Sequence, residues 1–114
     1  MERIALIPAR GGSKGIPRKN IKLFNEKPLI YWTIKVALES KYLDRVIVST
    51  EDEEIADIAR SFSAEVPFMR PASLAEDKSQ SIDVVLHALQ NTSNVSDVLL
   101  LQPTSPLRLS LIHI

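Results

Sequence analysis

The chain has 114 residues, 45% hydrophobic and 25% charged, enough for one ordinary globular core. Its 14 Lys+Arg balance 14 Asp+Glu, which argues against a general nucleic-acid or membrane binder, whose footprint is excess basic charge. Cysteine is absent, which excludes disulfides, thiolate metal sites and a cysteine nucleophile; with no membrane-length apolar run and no signal-peptide pattern, a soluble cytoplasmic protein is expected.

The elements alternate along the chain. Ile4-Ala5-Leu6-Ile7 is a continuous apolar run ended by Pro8, the pattern of a strand covered on both faces. Leu29 to Leu38 reads as a buried helix, with Pro28 suited to its first turn. Val46-Ile47-Val48 is the next strand. Thr50 and Glu53 then have capping-box spacing, ahead of Ile55, Ile58, Ala59 and Phe62 at helical intervals. Glu65-Val66-Pro67-Phe68 is a short extended piece whose proline unsuits it for a central strand. Ile82, Val85, Leu86 and Leu89 mark a third helical stripe, and Val98-Leu99-Leu100-Leu101 a last core strand before Pro103. Strands alternating with helices predict an α/β fold, a mainly parallel sheet with flanking helices on both faces. Ligands of such sheets sit beyond the carboxyl ends of the strands. The polar segments 9–20, 49–52, 70–81 and 102–108 should therefore share one rim.

Among these segments the first is distinctive. It holds all three glycines, Gly11, Gly12 and Gly15, and it is crowded by Arg10, Lys14, Arg18, Lys19 and Lys22. Glycines let a backbone turn present several N–H groups to one oxyanion. Arginine adds a planar fork for phosphate, and lysine a compact charge. The spacing matches neither G-x-x-x-x-G-K-[ST] nor G-x-G-x-x-G. By itself GGSKG is therefore either an anion loop or a solvated glycine turn, and its place after an apolar strand favours the first.

Four segments together resemble one family. "IPARGGSKGIPRKN", "VIVSTEDEEIADIA", "RPASLAEDKSQSIDVVLHAL" and "LLLQPTSPLR" occur in the order seen in the acylneuraminate cytidylyltransferases, the CMP-sialic acid synthetases, and cover nearly all of residues 3–108. Lys14-Gly15 followed by Pro17-Arg18-Lys19-Asn20 fits the sialic-acid branch better than the CMP-Kdo branch, while relatives acting on pseudaminic and legionaminic acids belong to the same group. The resemblance implies a Rossmann-like nucleotidyltransferase fold. It also implies transfer of CMP from CTP to the anomeric hydroxyl of a nine-carbon 2-keto sugar acid, with release of pyrophosphate.

Carried over position by position, the resemblance implies that Arg10, Lys14 and Lys19 supply charge to the triphosphate. Gly11, Gly12 and Ser13 line it with backbone, and Asn20 hydrogen-bonds the nucleotide. Arg70, Ser79 and Ser81 match residues around the cytosine end, although both serines also suit the cap of the helix that follows. Gln102 matches a contact to the sugar. No metal ligand is assigned: Mg²⁺ is implied for the family, with its ligands expected in a later part of the protein. CTP and a sialic-acid-like sugar are the implied partners, without nucleic acid or membrane, in a homodimer.

Other polar residues have plainer readings. The acids from Glu51 to Asp57 suit an exposed helix start, where negative charge is favourable. His87 lies within a helical stripe and reads as structural, and Tyr31 and Trp32 read as packing residues. Residues 1–108 are read as the nucleotide-binding portion of a truncated domain. Residues 109–114, LSLIHI, lack the polar helix start expected there and are read as an atypical, foreign or misread tail.

Overall fold

The computed structural model describes residues 2–9, 23–24, 27–71, 81–101 and 109–113. Strand β1 spans Glu2–Pro8, and a short hairpin follows from β2, Leu23–Phe24, and β3, Lys27–Pro28. Helix α1, Leu29–Leu38, begins directly after Pro28 and leads to β4, Arg45–Ser49. Helices α2, Glu53–Ser61, and α3, Ser81–Gln90, precede β5, Val95–Leu101, and β6, Leu109–His113.

The main sheet has the order β4-β1-β5-β6. Its first three strands are parallel, with Leu6 between Ile47 and Leu100, while β6 runs antiparallel to β5 from Leu101↔Leu109 to Asp97↔His113. The expected short extended piece lies along the outer side of β4. Glu65 donates its N–H to Val46 O at 2.8 Å, and its carbonyl accepts from Val48 N–H at 2.9 Å. Pro67, with no N–H to donate, limits this contact to a single bridge at Ile47↔Glu65.

Side-chain alternation on the strands sorts the core into two layers. Ala5, Ile7, Val46 and Val48 pack with Ile30 and Ile34 of α1 and with Ile55, Ala56 and Ala59 of α2. Ile4, Leu6, Ile47, Val98 and Leu100 pack with Val84, Val85 and Ala88 of α3. In β5 the alternation shifts once: Glu2 pairs Val95 but Arg3 pairs Asp97, so Ser96 is an extra residue. This bulge puts Val95 on the same face as Val98 and Leu100. Covered on both faces, β1 has no polar side to offer water, which is why Ile4 to Ile7 form an unbroken apolar run.

Two local expectations change. The third helical stripe is rotated: Val84, Val85 and Ala88 are buried, whereas Ile82 and Leu86 are 48% and 50% exposed. The sheet contacts a face of α3 centred near Val85, and the small Ala88 completes it by allowing close approach. The second helix is capped by Asp52 rather than by Thr50. The Asp52 Oδ1 accepts from Ile55 N–H at 3.0 Å, while the Thr50 hydroxyl accepts one step earlier, from Asp52 N–H at 3.1 Å.

Ile47 is fully buried in the α3 layer, whereas Leu38 is 47% exposed on α1. Ile47→Ala is expected to cost about 3 kcal/mol of unfolding free energy and Leu38→Ala about 1 kcal/mol or less. Urea denaturation measures both; equal losses would contradict the packing described.

Candidate functional site

The carboxyl ends of β1 and β4 are tied together by backbone. Successive carbonyls of an extended strand point to opposite sides in the plane of the sheet. At the end of β4 this alternation has a consequence. Ser49 O faces β1 and accepts from Ala9 N–H at 2.9 Å, and Thr50 O faces the other way and accepts from Arg70 N–H at 2.9 Å. Ala9 is the residue before Arg10. Ala9 is thus held on one flank of the β4 terminus, and Arg70 on the other.

Ser49 and Thr50 are both fully buried, and Arg70 is 5% exposed. A buried guanidinium is costly without partners, and Arg70 is engaged by the protein around it. Ser81 is the first residue of α3. Because α3 ends at Gln90, just before β5 starts at the amino edge of the sheet, its first turn lies toward the carboxyl edge. The structure thereby brings Ala9, Arg70 and Ser81 to one rim. Arg10, Gly11, Gly12, Ser13, Lys14, Lys19, Asn20, Ser79 and Gln102 lie outside the described residues.

Charges at the opposite, amino edge have structural partners. Arg45 lies 2.7 Å from Glu65 and 3.7 Å from Glu2. Its guanidinium is held above the ordinary arginine range, first by the hydrogen bond to Glu65, against the opposing effect of burial, and further by the charges of Glu65 and Glu2. Such a raised group contributes stability throughout the lower pH range and loses it only as pH rises through the raised value, so Arg45 stays charged at neutrality. Arg3 lies 3.5 Å from Asp97 and stacks its guanidinium 4.4 Å from the Tyr42 ring centre. These pairs fasten strand starts and lie away from the rim.

The remaining sequence candidates are packing or capping groups. Tyr31 meets Trp32 and Phe62 edge-on, with ring centres 5.1 and 4.9 Å apart. His87 meets Phe68 at 5.2 Å in the same manner, tying α3 to the segment before Arg70. In the acidic stretch, Asp52 caps α2, and Glu53 and Glu54 occupy its first turn. Among the described residues no group of three or more His, Asp or Glu side chains could hold a metal, so these residues do not fit a metal site. A groove of about 250 Å³ lies beside Tyr31, Ile34, Leu38 and Phe62 and a polar depression of about 440 Å³ beside Arg45 and Gln90; Ser49, Thr50 and Arg70 line neither.

The sequence marks Ser49 as the polar end of a strand and Thr50 as a helix-cap candidate, and neither as a backbone anchor. Their role as backbone anchors had one faint signal: two hydroxyl residues between a core strand and an acidic helix start. Which carbonyl meets which segment depends on strand order, which no local pattern carries.

A family model described as Cytidylyltransferase matches residues 4–111. An N-acylneuraminate cytidylyltransferase of Escherichia coli is 45% identical over 105 residues, covering 92% of this chain and 25% of that protein. A CMP-N,N'-diacetyllegionaminic acid synthase of Legionella pneumophila is 45% identical over 112 residues, covering 95% of this chain and 48% of that protein. In three dimensions, a CMP:2-keto-3-deoxy-manno-octonic acid synthetase complexed with CTP superposes with a TM-score of 0.81 at 22% identity, over 95% of this chain and 42% of that one. This structural likeness establishes the fold. The chain spans about half the length, or less, of these relatives.

The cap on α2 adjoins the rim and can be tested directly. Asp52→Ala removes the acceptor for Ile55 N–H and is expected to lower stability by about 1 kcal/mol, with Asp52→Asn nearly neutral. Thermal unfolding of the two variants measures the difference; an equal loss would assign the effect to charge rather than to the cap.

Proposed function

Because this chain belongs to the cytidylyltransferase family, we propose that it is the nucleotide-binding portion of an enzyme that transfers CMP from CTP to a nine-carbon 2-keto sugar acid of the sialic acid type. The observation that carries this reading is the pair of anchors at Ser49 and Thr50. They hold Ala9, which precedes the cation-rich glycine segment in the chain, and Arg70 on the two flanks of the β4 terminus, at the rim where a parallel sheet takes its ligand.

In the proposed reaction the anomeric hydroxyl oxygen attacks the α-phosphorus of CTP. A new P–O bond forms to the sugar, the bond from the α-phosphorus to the bridging oxygen breaks, pyrophosphate departs, and the hydroxyl proton passes to solvent. Negative charge builds on the α-phosphate and on the leaving group, and fixed cations and N–H donors stabilise it in the transition state. Arg10, Lys14 and Lys19 take that role beside the backbone of Gly11, Gly12 and Ser13. Asn20, Arg70, Ser79 and Ser81 hold the nucleoside, and Gln102 orients the sugar. Mg²⁺ would supply additional charge on the phosphates, with ligands from the part of the relatives that this chain does not span. The reading extends to a cytoplasmic homodimer using neither nucleic acid nor membrane.

The identity to the legionaminic acid synthase equals that to the acylneuraminate enzyme, which favours a second reading: the same transfer to a legionaminic-type acid. Pseudaminic and Kdo acids complete the acceptors to be compared, and a non-catalytic nucleotide-binding module is the rival of another class.

A protein extended to the length of the relatives should release pyrophosphate from CTP in the presence of Mg²⁺ and one of these acids. No release with any of them would overturn the assignment. Arg10→Ala should weaken CTP binding about tenfold or more, since hydrogen bonds to charged groups contribute about 1.5–3 kcal/mol, while the circular dichroism spectrum is preserved. An unchanged CTP titration would remove Arg10 from the site.

A further inference from the structure

We propose that Thr50 is a positioning residue for Arg70, and through it for recognition of the nucleoside end of the substrate. The inference deepens the function proposed above and rests on the reading of Arg70 as a nucleoside contact. It starts from two hydrogen bonds on one fully buried residue. The Thr50 hydroxyl accepts from Asp52 N–H at 3.1 Å, and the Thr50 carbonyl accepts from Arg70 N–H at 2.9 Å.

The first bond closes a tight turn between a side chain and the backbone two residues on, a local device that threonine supplies and that fixes the peptide planes it spans. One of those planes carries the Thr50 carbonyl. The hydroxyl therefore sets the direction in which that carbonyl points, and the carbonyl sets where the backbone of Arg70 sits. Asp52 reinforces the turn from the far side, because its carboxylate caps α2 through Ile55 N–H at 3.0 Å. Thr50 is thus locked between the start of a helix and the last strand residue.

On the Arg70 side, among the described residues, the backbone ties of the segment to β4 and its extension are those of Glu65 and of Arg70 itself. Its bridge to β4 is confined to Glu65, and Pro67 intervenes. The bond to Thr50 is consequently the backbone contact next to Arg70 that refers it to the sheet. A guanidinium whose donors form a rigid fork is sensitive to small displacements, so its recognition geometry depends on that contact. Ala9, tied through Ser49 O on the opposite flank, does not draw on the Thr50 hydroxyl.

A purely structural Thr50 would influence stability alone, and this difference defines the test. CTP, UTP and inorganic tripolyphosphate are titrated calorimetrically into the full chain and its Thr50→Val, Thr50→Ala and Thr50→Ser variants, alongside thermal melts. Thr50→Val, nearly isosteric but lacking the hydroxyl, should lose about tenfold in CTP affinity and most of the preference for CTP over UTP, while its affinity for tripolyphosphate stays as in the parent. Thr50→Ala should show the same pattern should valine prevent folding, and Thr50→Ser should restore CTP binding. In an Arg70→Ala background, Thr50→Val should cause no further loss. A lower melting temperature with unchanged CTP affinity would overturn the positioning role and leave the proposed function standing. A parallel fall for CTP and tripolyphosphate would likewise overturn it. A parent chain with no preference for CTP over UTP would instead overturn the reading of Arg70, and the inference with it.

Discussion

The parallel pairing of β1 with β4, continued one residue past the end of β1, is the constraint on which the rest of the structure depends. Its register places Pro8 beside Ser49, and Ala9 N–H then closes onto Ser49 O at 2.9 Å. On the other side of β4, Glu65 and Arg70 are bonded to the same strand and its extension. A single strand therefore refers two distant segments to each other, and carbonyl alternation decides which of them occupies which flank. Remove this pairing and the rim has no common origin, whatever the residues in its loops.

The sheet also separates two kinds of charge. At the amino edge Arg45, Arg3, Glu2, Glu65 and Asp97 are matched within the protein, and partly exposed pairs such as Arg45 with Glu65 contribute modestly to stability, about 0–1 kcal/mol each. Arg70 lies toward the carboxyl edge, 5% exposed beside an anchored backbone. Among the described residues, the polarity of the sheet thus separates arginines that brace strand starts from Arg70 near the strand ends. The core supports this division, since two apolar layers leave the strand ends as the places where polar segments gather.

Much of the fold was legible because its signals are local and strong. The unbroken run Ile4 to Ile7 announces a strand buried on both faces, and β1 has that environment. Leu29 to Leu38 coincides with α1, and Pro67 explains why the extended piece beside β4 remains a single bridge. The misreadings have physical causes. The hairpin of β2 and β3 was not anticipated, because strands of two residues are too short to display a period. The stripe on α3 was read from the largest side chains, whereas burial followed close approach to the sheet through Val84, Val85 and Ala88. Thr50 has the composition of a cap, yet Asp52 takes that place because Thr50 is still held as an extension of β4.

For the candidate site the division is sharper. The sequence by itself determined the alternation of strands and helices, the cation-rich glycine segment and the family, because these are carried by residue types in order along the chain. Only the tertiary structure decided that Ser49 and Thr50 are the anchors, that Arg70 is buried against that turn, and that the amino-edge arginines are braces. Each of these facts depends on which strands lie side by side and which way a carbonyl points. Hydrogen bonds between residues about 20 to 40 positions apart, such as Arg70 to Thr50 and Ala9 to Ser49, leave no periodic trace in the sequence.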